Sequence, residues 1–205
     1  MTEKSSECDS CAQKGSCKDE KDVRAGGECD HKVDRMARVK HKIIIASGKG
    51  GVGKSTVTVN LARALQMKDF KVGVLDADIT GPDIAKLLGI EDGRLMQGPD
   101  GIQPVEADGI RAASMAFLLS SRDSPVVWRG PMKMAAIKQF IQDVDWGDLD
   151  FLLIDLPPGT SDEPLSVVQL IPELAGAIIV TTPQEVALLD SRKAVNMVRT
   201  MKIPV

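Results

Sequence analysis

Tyrosine is absent from this sequence, aromatic residues make up only 3% of it, and its 205 residues include just two histidines. So few rings leave little on which unpaired bases can stack. A formal net charge of −3 offers no general attraction to a phosphate backbone. Nucleic acid is therefore not an expected partner. No apolar run reaches the roughly 20 residues that span a bilayer. The opening Met1-Thr2-Glu3-Lys4-Ser5 lacks the hydrophobic region of an export signal. A membrane is not expected as a partner either, and the expected compartment is the cytoplasm. Cysteine, too, is missing from everything beyond Cys29.

The four cysteines that are present, Cys8, Cys11, Cys17 and Cys29, crowd into the first 29 residues, and His31 and His41 follow closely. In a cytosolic chain, clustered thiols point to metal more than to disulfides. Up to Lys42 the sequence is polar and almost charge-balanced, with ten Lys/Arg against nine Asp/Glu. Such a segment buries too little apolar surface to order by itself. The expected division is a cysteine-bearing tail over residues 1–41 and one α/β domain over residues 42–205.

From Lys42 onward, apolar strands alternate with amphipathic helices. Strands are expected at Lys42–Ala46, Lys71–Asp76, Gly109–Ala113, Phe151–Asp155 and Ala177–Thr181. Helices are expected at Lys54–Met67, Pro82–Leu88, Pro131–Asp143, Asp162–Ile171 and Glu185–Met201. This alternation predicts an α/β fold with a mostly parallel sheet and helices on both faces. The continuous apolar runs Ile43–Ile45 and Phe151–Ile154 suit central strands. Gln97–Asp108, rich in Gly, Pro and Asp, reads as a surface excursion, such as a short hairpin.

The densest chemical signal is Gly48-Lys49-Gly50-Gly51-Val52-Gly53-Lys54-Ser55-Thr56, lying between a β-branched strand and an amphipathic helix. Gly48 through Ser55 meets the phosphate-loop pattern. Polyphosphate must be approached closely by backbone N–H groups, and glycine permits both that approach and left-handed dihedrals. Lys54 is then placed to reach the β- and γ-phosphates, and Ser55 to offer its hydroxyl to Mg²⁺.

Ligands of open α/β sheets bind beyond the carboxyl ends of strands. Asp76-Ala77-Asp78, Asp155-Leu156-Pro157-Pro158-Gly159 and Thr181-Thr182-Pro183-Gln184 all fall at such ends. Asp155 ends its apolar run in the manner of a Walker B carboxylate that holds Mg²⁺ or its water shell. Asp78 is the candidate for orienting the attacking water. Pro157, Pro158 and Gly159 read as a γ-phosphate-sensing switch in which Gly159 donates its N–H.

The nine residues Gly48–Thr56 resemble the deviant Walker A motif of the MinD/ParA/nitrogenase-iron-protein group of P-loop NTPases. That resemblance implies that Lys49 crosses a homodimer interface to the partner's nucleotide. Further strings extend the likeness: Leu75-Asp76-Ala77-Asp78-Ile79-Thr80-Gly81-Pro82, Trp128-Arg129-Gly130-Pro131-Met132, Trp146-Gly147-Asp148-Leu149-Asp150 and Asp155-Leu156-Pro157-Pro158-Gly159-Thr160. With these the chain resembles the Mrp-type P-loop ATPases, the nucleotide-binding iron–sulfur carriers. The resemblance implies a slow ATPase that transfers [4Fe–4S] clusters to apoproteins. It assigns Lys54 as the phosphate lysine, Ser55 and Asp155 to Mg²⁺, and Asp78 and Gly81 to a first switch.

Cys8-x2-Cys11-x5-Cys17 resembles part of the N-terminal cluster site in longer carriers, with Cys29 as the fourth thiolate. Zinc held by three cysteines and His31 stays open. The family also carries, beyond the equivalent of Val205, a further strand, an adenine-reading Asn and a Cys-x-x-Cys pair that the 205 residues do not include. Two other readings remain: a MinD/ParA-type positioning ATPase without metal cargo, and a metal-insertion NTPase.

Overall fold

The computed structural model describes residues 34–79, 81–118 and 130–205. The tail site of Cys8, Cys11, Cys17 and Cys29 lies outside the described residues, as do His31, Thr80, Trp128 and Arg129.

Eight strands and five α-helices follow one another in the described chain. The strands are β1 (Val39–Ser47), β2 (Val72–Asp76), β3 (Met96–Gly98), β4 (Gly101–Gln103), β5 (Val105–Ala107), β6 (Ile110–Ser114), β7 (Leu149–Asp155) and β8 (Leu174–Val180). The helices are α1 (Lys54–Gln66), α2 (Ile84–Leu88), α3 (Gly130–Asp143), α4 (Asp162–Leu170) and α5 (Glu185–Thr200). Six strands form the main sheet in the order β5-β6-β2-β7-β1-β8, and β3 pairs with β4 in a separate hairpin. All pairs from β6 across to β8 are parallel, and only the edge strand β5 runs antiparallel to its neighbour β6.

Period-two alternation sends successive side chains of β1 and β7 to opposite faces. Ile44, Leu152 and Ile154 join the core beneath α3 and α4, with Ile137, Phe140 and Val167. Ile45 and Leu153 join the core beneath α1 and α2, with Val59, Ala62 and Ile84. The central strands are thus covered on both sides, which is what their unbroken apolar runs require.

The expected boundary between residues 41 and 42 falls inside a strand. β1 starts at Val39, and Asp34–Val205 forms one compact unit. Met36 and Val39 are buried in the core, while Lys40 projects to an ion pair with Asp150. His41, grouped with the tail in the sequence, packs on Phe151 with ring centroids 5.2 Å apart. The hairpin expected within 97–108 is present as β3–β4, and β5 adds a sheet edge that the sequence did not suggest. No helix among the described residues is long and apolar enough to cross a membrane.

Candidate functional site

The phosphate loop leaves β1 at Ser47 and enters α1 at Lys54, with Gly51 and Gly53 at positive φ (76° and 88°) as the motif demands. Gly48 has a different reason to be glycine. A Cβ there would lie 2.3 Å from the backbone carbon of Asp190, so the loop's first residue lies directly against the backbone of α5. The Ser47 hydroxyl closes the turn by donating to the Lys49 carbonyl at 2.9 Å.

Asp155 ends β7 fully buried. Its Oδ2 accepts from Lys54 Nζ at 2.7 Å and from Ser55 Oγ at 2.6 Å, while Oδ1 accepts from Thr58 Oγ1 at 2.8 Å. The charge is therefore paired and hydrogen-bonded, the condition under which a buried carboxylate is tolerable. Thr58 was not singled out in the sequence. It lies one helical turn beyond Lys54, so both side chains project from α1 toward the same carboxylate.

In the neighbouring strand β2, Asp76 is the direct register partner of Asp155. It too is fully buried, and burial together with the nearby Asp155 charge pushes its carboxyl up to about 8. At neutral pH Asp76 thus holds a proton. Asp78, two residues on, is 8% exposed, and its Oδ1 accepts from the Gly81 N–H at 3.2 Å.

Above these groups opens a cavity of about 460 Å³. Its wall brings together Gly50, Gly51, Gly53, Lys54, Ser55 and Thr56 with Asp78, Gly81 and Pro158. Asp83, Lys86 and Leu87, in and just before α2, also line it and were missed in the sequence, where a polar residue in a short helix carries no signal. Gly48, Lys49, Val52, Pro157 and Gly159 are not on the wall, and Asp155 sits behind Lys54 and Ser55. Lys49 points outward, its Nζ 3.5 Å from Gln184 Oε1. The Gly159 N–H, the expected γ-phosphate donor, donates to the Ser47 carbonyl at 2.9 Å.

The donor set fits Mg²⁺. Ser55 Oγ lines the cavity with Asp155 Oδ2 2.6 Å behind it, and these are hard oxygens of the kind this cation takes in small number alongside phosphate and water. No group of three or more His, Cys, Asp or Glu able to hold a metal occurs among the described residues.

A phosphate loop at the end of a central parallel strand, with a buried carboxylate from the adjacent strand answering its lysine, defines a P-loop NTPase. The MinD septum site-determining protein of Pyrococcus horikoshii, solved with Mg-ADP, superposes with a TM-score of 0.60 at 27% identity, over 80% of this chain and 67% of that one. A nucleotide-binding protein of Archaeoglobus fulgidus in complex with ADP superposes at a TM-score of 0.73 and 42% identity, over 83% of this chain and 66% of that one. The iron-sulfur cluster carrier protein of Methanocaldococcus jannaschii is 54% identical over 207 residues, which is 100% of this chain and 71% of the carrier. Residues 38–205 match the family model of ParA-type, NUBPL iron-transfer P-loop NTPases. The chain belongs to that iron-transfer family.

Proposed function

We propose that this protein binds and hydrolyses ATP and carries [4Fe–4S] clusters to apo iron–sulfur proteins, acting as a cytoplasmic homodimer. One observation carries the reading: Lys54 and Ser55, on the cavity wall, both reach Asp155 Oδ2 within 2.7 Å, in a chain of the iron-transfer family. Backbone N–H groups of the loop and Lys54 hold the β- and γ-phosphates. Ser55 and Asp155 are the residues that would hold Mg²⁺, which when bound neutralises charge on the phosphate oxygens. Asp78 accepts a hydrogen of the attacking water and orients it. Lys49, half-buried in the loop, reaches the partner's nucleotide and stabilises transition-state charge there, as an arginine finger does.

Movement follows from a competition. A γ-phosphate that draws the Gly159 N–H away from Ser47 shifts Pro157 and Pro158, while Gly81 yields at the first switch. The cluster is the cargo, and in this chain Cys8, Cys11, Cys17 and Cys29 are its candidate ligands. The test is anaerobic reconstitution with iron and sulfide, with ATP hydrolysis assayed in parallel. About four iron and four sulfide per chain are expected, lost when the four cysteines become Ser while hydrolysis persists. Hydrolysis without iron in either protein would favour a MinD/ParA-type switch without cargo, and zinc in place of iron would favour the Cys₃His alternative.

A further inference from the structure

One buried carboxyl has no place in the chemistry above. Asp76 does not line the cavity, is fully buried, and nevertheless gathers hydrogen bonds from three segments. Its Oδ1 accepts from the Asp78 N–H at 3.1 Å. Its Oδ2 accepts from Ser114 Oγ at 2.9 Å and from the N–H of Ile84 at 3.4 Å. Asp78 stands near the start of the connection between β2 and α2, and Ile84 is the first residue of α2. A single side chain thus fastens both ends of the connection that carries Asp78 and Gly81 into the cavity. The fastening point is itself fixed. The Ser114 hydroxyl accepts the Ala116 N–H at 3.1 Å, which leaves its proton for Asp76. The Ala77 N–H donates to the Asp155 carbonyl at 2.9 Å, locking the connection's first residue to β7.

From this arrangement we propose that Asp76 is the positioning residue of the reaction: it holds the Asp78 turn, with Ser114 as its anchor, so that the Asp78 carboxylate faces the phosphate loop. A reacting group on a loop is only as accurate as the shell that locks its backbone. Asp78 lies in the connection between β2 and α2, and connections open more easily than strands. The inference rests on the ATP-hydrolysing reading, in which Asp78 acts on water.

The experiment compares wild type with Asp76→Ala, Asp76→Asn and Ser114→Ala, measuring kcat and KM for ATP and the hydrogen exchange of the Asp78 and Ile84 amides. For Asp76→Ala, kcat falls about 30- to 300-fold with KM within about threefold, and both amides lose protection. Asp76→Asn keeps an acceptor oxygen for the Asp78 N–H and recovers most of that loss, and Ser114→Ala costs several-fold. A folded Asp76→Ala protein with kcat within about threefold of wild type overturns the proposal. So does a fall in kcat with unchanged amide protection, which would place Asp76 in some other role. If Asp76→Ala does not fold, Ser114→Ala decides, because a protein that exchanges and turns over like wild type overturns the proposal. If wild type shows no ATP turnover, the functional reading fails, and the amides alone judge whether Asp76 holds the turn.

Discussion

Strand β7 carries a lysine–aspartate pair at each end, and both pairs measure 2.7 Å. At its start, Asp150 meets Lys40, whose side chain is 70% exposed; at its finish, Asp155 meets Lys54, which is 7% exposed. Equal distances do not mean equal roles. In water the Lys40 pair is screened, exchanges with solvent, and contributes little. Under the phosphate loop Asp155 is fully buried and Lys54 nearly so, and each depends far more on the other. The lysine at the finish of β7 is also the one facing the cavity, so the costly pair is the one that the proposed chemistry uses.

Removing Asp155 breaks the comparison most completely. Asp155→Ala leaves Lys54 buried without its partner, with an expected cost of about 3–5 kcal/mol in urea unfolding and loss of ATP turnover. Asp76→Asn sharpens it through pH. Folded Asp76 keeps its proton up to about 8, whereas the unfolded carboxyl releases it near 3.8. Between those values the unfolded chain binds fewer protons, so this group lowers stability as pH rises from about 4 to about 8 and not beyond. The Asn variant should lose that slope, gaining up to a few kcal/mol over wild type at pH 8 in paired unfolding curves.

Gly48→Ala tests the frame rather than the charges. A methyl 2.3 Å from the Asp190 backbone forces the loop and α5 apart, costing about 1–3 kcal/mol and loosening nucleotide binding, readable by titration with a fluorescent ADP. Lys40→Ala should do least, moving Tm by about 2 °C or less. A large loss there would erase the distinction between the two ends of β7.

The central strands and the long helices were legible because their apolar runs and periodicity do not depend on partners. Ile43–Ile45, Phe151–Ile154 and the glycine loop read as they fold. The start of β1 was hidden because Val39, Lys40 and His41 look like the end of a polar linker, yet Val39 is buried and Lys40 reaches Asp150. β5 is only three residues long and gains its strand character from β6. Thr58 and Ser114 are single hydroxyls whose partners lie 97 and 38 residues away, and no local pattern announces such a contact. The bond from the Gly159 N–H to the Ser47 carbonyl joins residues far apart in sequence, and local spacing cannot show it.

The abutment of Gly48 on α5 has a consequence for how the protein is made. The phosphate loop emerges from the ribosome early, but the carboxylate that answers Lys54 comes 101 residues later. The backbone that backs Gly48, at Asp190 and Ser191, comes later still. At roughly 5–20 residues per second, the loop waits on the order of ten seconds for its frame. During that interval a nascent chain has the motif without the carboxylate and backbone that frame it. The last helix described here is therefore also the one whose synthesis switches the first motif on.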